Sequence, residues 1–111
     1  MRIMEQKIEK ATVMVANDLI SYAEGGIVSK EFIHSKAGSI TLFAFDAGQK
    51  LSEHTAPYDA LVQVIDGEAE IMIAGRLYHP KAGQMLIIPQ NALHAVNAAQ
   101  RFKMMLTMIR G

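Results

Sequence analysis

From Ile27 onward the chain is a succession of short apolar and β-branched runs, interrupted by turn residues every eight to twelve positions. This rhythm excludes long helices and points to an all-β sandwich or small barrel of eight or nine strands. "IVSKEFIHS" is a strand candidate, and "SITLFAFDAG" alternates Ile40, Leu42 and Ala44 against Thr41, Phe43 and Phe45. "ALVQVIDGEAEIMIAG" reads as a hairpin about Asp66-Gly67, a favoured tight-turn pair. Ala74-Gly75 then turns the chain into "RLYHP", "GQMLIIPQNALHAV" sets a short apolar run before Pro89, and "RFKMMLTMI" supplies the last strand.

The first 26 residues follow another pattern and read as a segment packed on a barrel formed by residues 27–111. Within it, "ATVMV" (11–15) alternates like a short strand. "NDLISYAEGG" (17–26) reads as one or two helical turns, capped by Asn17 and ended by Gly25-Gly26. The runs "ALVQVI", "MLII" and "MMLTMI" are apolar on both faces, whereas a strand wetted on one side alternates. Their outer faces therefore need a cover. A second copy of the chain is the simplest one, so a homodimer is expected.

Composition narrows the function. The 111 residues suffice for one core. Eleven Lys and Arg balance eleven Asp and Glu, which argues against an electrostatic grip on nucleic acid or anionic membrane. The absence of cysteine excludes disulfides, thiolate metal ligands and a thiol nucleophile. The first residues are charged and lack the apolar stretch of a secretion signal, and no run is long enough to span a bilayer as a helix, so the default location is the cytoplasm. Eight methionines read either as flexible core filling or as a thioether-lined pocket. No phosphate-binding glycine loop, nucleophile elbow or HExxH helix is present.

The informative pattern lies in the histidines. Gly48 is followed after five residues by His54, and Gly67 comes later. Gly83 is followed after five residues by Pro89, and four residues after that by His94. In spacing and order the chain resembles the cupin superfamily, in particular its short one-domain bacterial members. Their first motif is glycine, five residues, His-x-His, three or four residues, glutamate, six residues, glycine. Their second is glycine, five residues, proline, one residue, glycine, two residues, histidine, three residues, asparagine. The strand pattern agrees from Ile27 on, and the motifs from Gly48 to Ala98. The resemblance implies a double-stranded β-helix, a jelly-roll barrel with a short irregular or helical N-terminal segment and its ligand site inside.

It also implies a divalent metal (Fe, Mn, Zn, Ni or Cu) held by two histidines and a glutamate of the first motif and one histidine of the second. Here only His54 and His94 stand at ligand positions. Ala56 replaces the second histidine, Ala60 the glutamate, Asn91 the second-motif glycine and Ala98 the asparagine. Catalytic sites usually supply three protein ligands, so two imidazoles form an incomplete metal set. A methionine of "FKMMLTM" could add a soft ligand suited to copper.

Three readings follow. In the first, the barrel binds a small molecule beside His54 and His94, with Tyr58 at the mouth and at most a weakly held metal. The imidazoles, each with one donor and one acceptor, could orient a carboxylate or hydroxyl ligand without metal. In the second, it is a metal-dependent dioxygenase, isomerase or decarboxylase acting on a small polar or aromatic compound. In the third, it is a structural dimer whose barrel is filled by its own side chains. His34 and His79 read as surface residues, Asp66 and Glu68 as a solvated turn, Asp46 as a turn residue, and Arg101 and Lys103 as solvated.

Overall fold

The computed structural model describes residues 2–4 and 8–110. Residues 1, 5–7 and 111, parts of the expected N-terminal segment and barrel end, lie outside the described residues. The described strands are β1 (Arg2–Met4), β2 (Ile27–Ser35), β3 (Gly38–Phe45), β4 (Lys50–His54), β5 (Asp59–Gly67), β6 (Glu70–Ile73), β7 (Arg76–Tyr78), β8 (Met85–Ile88), β9 (His94–Asn97) and β10 (Phe102–Ile109). They form a six-stranded sheet ordered β1-β2-β3-β10-β5-β8 and a four-stranded sheet ordered β4-β9-β6-β7. The two sheets face each other as an all-β jelly-roll barrel, as expected.

The expected hairpin about Asp66-Gly67 does not form. β5 pairs with β10 and β8, while β6 pairs with β7 and β9, so the chain changes sheet at this point. Gly67 has a φ of 73°, and a Cβ there would overlap the carbonyl oxygen of Arg101. The Asp-Gly pair thus serves close backbone approach at a barrel corner rather than a two-residue hairpin turn. The actual tight hairpin joins β6 to β7 through Ala74 and Gly75, with φ of 50° and 81°. Positive φ at both positions is the geometry of a type I′ turn.

The barrel core comes from period-two alternation. β5 buries Ala60, Val62 and Val64, β6 buries Ile71 and Ile73, and β10 buries Phe102 and Met104. Phe45 and Phe102 stack with centroids 4.7 Å apart. Such pairs add about 0.5–1.5 kcal/mol beyond their buried area.

A second apolar layer lies on the outside of the large sheet. Ile20 packs with Val28, Leu42 and Ala44, flanked by Leu19, Tyr22, Ile65 and Met105. Part of the two-sided apolar pattern is therefore covered by the chain's own N-terminal segment. That segment differs in detail from the sequence reading. Residues 11–15 are exposed and form no strand, and Ala11 takes a φ of 55° that breaks extension. Instead of one or two helical turns there is a single 3-10 turn, Ala16–Asp18, without a side-chain cap. Asn17 lies inside it, and its carbonyl and side-chain oxygens accept from Lys103 Nζ at 2.8 and 2.9 Å.

This network corrects two further readings, those of Lys103 and Asp66, and adds partners to the turn residue Asp46 and the exposed Arg101. Lys103 is buried rather than solvated, and its ammonium also lies 5.0 Å from the Tyr22 ring centroid. Asp66 is no free turn residue: it accepts from the Tyr22 hydroxyl. Asp46 accepts from the Gly25 N–H at 2.6 Å and from Arg101 Nε at 2.7 Å. The exposed Arg101 is therefore paired, and its guanidinium lies 5.2 Å from the Tyr22 ring centroid. The hydrogen bond from Arg101, followed by that from Gly25, holds the Asp46 carboxyl below the usual range. These polar ties, not helix propensity, fix residues 17–25 on the sheet.

Candidate functional site

His54 ends β4 and His94 begins β9, and the two are register partners. Between the pairs Leu51–Val96 and His54–His94, β4 carries one residue more than β9. This β-bulge decides the site. In an uninterrupted strand, residues 51 and 54 point to opposite faces. The extra residue turns His54 to the side of Leu51, which faces the core, while Ser52 and Glu53 stay exposed. The ring centroids of His54 and His94 lie 4.2 Å apart, with 59° between planes.

Two loops hold the pair together. The Asn91 N–H donates to Ala56 O at 2.8 Å, the Gln90 N–H to Asp59 Oδ1 at 2.8 Å, and Gln90 Nε2 to Pro57 O at 3.1 Å. Asn91 has a φ of 64°, which asparagine tolerates better than most residues. At the other end of β4, Gly48 N–H donates to Ala98 O at 2.7 Å and Ala98 N–H to Gln49 O at 2.9 Å. The motif positions are thus the seams between two strand–loop units.

Each imidazole is oriented by its own backbone. His54 Nδ1 lies 2.8 Å from Ser52 O, and His94 Nδ1 lies 3.0 Å from Ala92 O. A carbonyl only accepts, so both Nδ1 atoms carry hydrogen, and in the neutral ring Nε2 is the acceptor. His94 is buried, at 7% exposure, whereas His54 is exposed at the mouth. The rings border a cavity of about 60 Å³ whose lining includes Ala56, Tyr58, Ala60, Val62, Ile88 and Met104. Tyr58 is therefore placed with the two histidines, and Arg110 lies 5.3 Å from its ring centroid. His34 and His79 are not brought to the site: both are exposed, paired with Glu31 and Glu70 at 3.3 and 3.8 Å. Met108, the register partner of Ala60, lines the same cavity. Sequence reasoning named the methionines of this run without singling out Met108, since only the β5–β10 register gives it that position.

A family model described as a cupin domain matches residues 41–110. The chain belongs to the cupin family. Among solved structures, this cupin resembles a conserved protein of unknown function from Streptococcus pyogenes: 29% identity, TM-score 0.90, covering 96% of this chain and 93% of that one. It is similar to a cupin superfamily protein from Desulfitobacterium hafniense, at 25% identity and TM-score 0.85, covering 96% and 97%. It also resembles a cupin 2 conserved barrel domain protein from Leptotrichia buccalis, at 36% identity and TM-score 0.82, covering 85% of this chain and 46% of that one. No curated protein sequence matches the chain. No described helix is long and apolar enough to cross a membrane.

The donor set can be tested against the metal that the resemblance implies. Ala56 and Ala60 line the cavity where two further ligands would stand, and neither offers a donor atom. Among the described residues no group of three His, Cys, Asp or Glu side chains converges. Two imidazoles without a carboxylate or thiolate partner do not fit a firmly held Fe, Mn, Zn or Ni in this cupin. Met104 and Met108 line the same cavity, so copper is the one metal of that set whose ligand preference these side chains could meet.

Proposed function

We propose that this cupin binds a small molecule in its barrel, with His54 and His94 reading the ligand's polar end and Tyr58 at the mouth. The observation that carries this is the adjacent pair of imidazoles, centroids 4.2 Å apart, in the lining of a mostly apolar cavity. The two rings and Tyr58 are the side chains with polar atoms in a mostly apolar lining, the usual arrangement for orienting a ligand. The cavity beside His54 speaks against a barrel filled by its own side chains. The metalloenzyme reading lacks support from the donor set. Native mass spectrometry of freshly purified protein, followed by extraction, tests the proposal. A small molecule retained by the parent and lost in His94→Phe supports it. Equal retention by both proteins overturns it.

A second copy of the chain is our proposal for the remaining outer face. β8 is an edge strand of the large sheet, and its Met85 and Ile87 are 66% and 61% exposed. A neighbouring copy would remove both the open edge and these apolar side chains from water.

A further inference from the structure

We infer that the cavity takes a small neutral molecule with two hydrogen-bond donors on one atom, of the primary carboxamide class, and rejects the carboxylate of the same shape. This rests on the small-molecule reading above and specifies its ligand. It also reverses the expectation that the histidines orient a carboxylate.

The reason lies in how the two rings are anchored. Each Nδ1 hydrogen is committed to a backbone carbonyl two residues earlier, Ser52 O for His54 and Ala92 O for His94. A neutral imidazole has one N–H, so nothing is left to donate from either Nε2. The site therefore presents two acceptors side by side, on rings 4.2 Å apart. A carboxylate is acceptor-only and would set lone pairs against lone pairs. A primary amide nitrogen carries two hydrogens, one for each Nε2. Its carbonyl would face Tyr58, a residue that lines the same cavity and carries a donor hydroxyl. A cation would also donate, but the lining residues include no carboxylate to balance it, and unpaired charge is costly to bury. Arg110 sits over the Tyr58 ring and does not line the cavity. Size agrees: about 60 Å³ suits a body of a few heavy atoms rather than an aromatic ring, since a cavity that takes benzene measures about 150 Å³.

Propionamide and propionate are the probes, because they share a shape and differ in donors and charge. Chelator-treated protein is titrated with each at about pH 8, where imidazole side chains are ordinarily neutral. The imidazole nitrogens are followed by long-range proton–nitrogen NMR. We expect saturable shifts of both Nε2 resonances with propionamide, and apparent affinity for propionate at least about tenfold weaker. Propionate binding as well as propionamide overturns the donor assignment while leaving the small-molecule reading intact. Binding of either probe only after a divalent metal is restored also overturns it, by giving the acceptors to a metal. If neither probe binds while the native-extraction experiment yields a retained ligand, the carboxamide class is wrong. If that experiment also fails, the underlying reading falls with it.

Discussion

The hydroxyl of Tyr22 donates to the carboxylate of Asp66, 44 residues later, at 2.5 Å. Asp66 faces Tyr22 because β5 carries one residue more than β10 between the pairs Asp66–Lys103 and Val64–Met104. Strict alternation from the buried Val64 would aim this carboxylate into the barrel. The bulge puts it outside, on the face of Lys103, where residues 17–25 dock.

Tyr22→Phe should therefore weaken the fold by about 1.5–3 kcal/mol, the usual net value of a hydrogen bond to a charged group. Burial, then the hydrogen bond to Asp66 and its negative charge, push the Tyr22 phenol well above its ordinary value. A folded pKa raised in this way contributes stability that is fully present below the unfolded value near 10 and lost as pH rises beyond it. Denaturant melts of parent and Tyr22→Phe should thus differ most at neutral pH and converge as pH climbs above about 10. A difference that widens with alkali would contradict the assignment.

Gly67→Ala should destabilise by more than about 2 kcal/mol, combining a positive φ with a clash against Arg101 O. Gly48 also has a positive φ, 86°, but a Cβ there meets open space. Gly48→Ala should cost about 1 kcal/mol from backbone strain alone. Thermal melts of the two variants separate close approach from strain.

Long-range proton–nitrogen NMR of the unliganded protein should show both His54 and His94 with hydrogen on Nδ1 and a bare Nε2. A bare Nδ1 on either ring would contradict the carbonyl contacts. His94→Ala should cost about 1–3 kcal/mol, because it empties a buried site and leaves Ala92 O without its donor. His54→Ala, at an exposed position, should stay within about 1 kcal/mol of the parent.

Ile87→Lys places a charge at the centre of the exposed β8 face. Light scattering after size exclusion should read a dimer for the parent and a monomer for this variant, with an unchanged circular dichroism spectrum. A parent that is monomeric at all accessible concentrations would refute the homodimer.

Much of the fold was legible because its signals are local. Turn residues at short intervals, alternation in β3 and β5, and Ala74-Gly75 each need only a few neighbouring residues to act. The pairing of His54 with His94 was legible too, through the spacing of Gly48, Gly83 and Pro89. The Asp66-Gly67 hairpin and the solvated Lys103 misled because the deciding partner lies far along the chain. Gly67 answers to Arg101 O, and Lys103 to Asn17.

The sequence by itself determined the all-β barrel, the two histidines and the two alanines that remove their partner ligands, since residue identity and spacing suffice for these. Tertiary structure decided by what means the polar groups reach their faces. One extra residue in β4 turns His54 inward to meet His94, and one in β5 turns Asp66 outward to meet Tyr22. A side chain's face follows alternation only while register is unbroken. A bulge becomes visible only when a strand is laid against its partner.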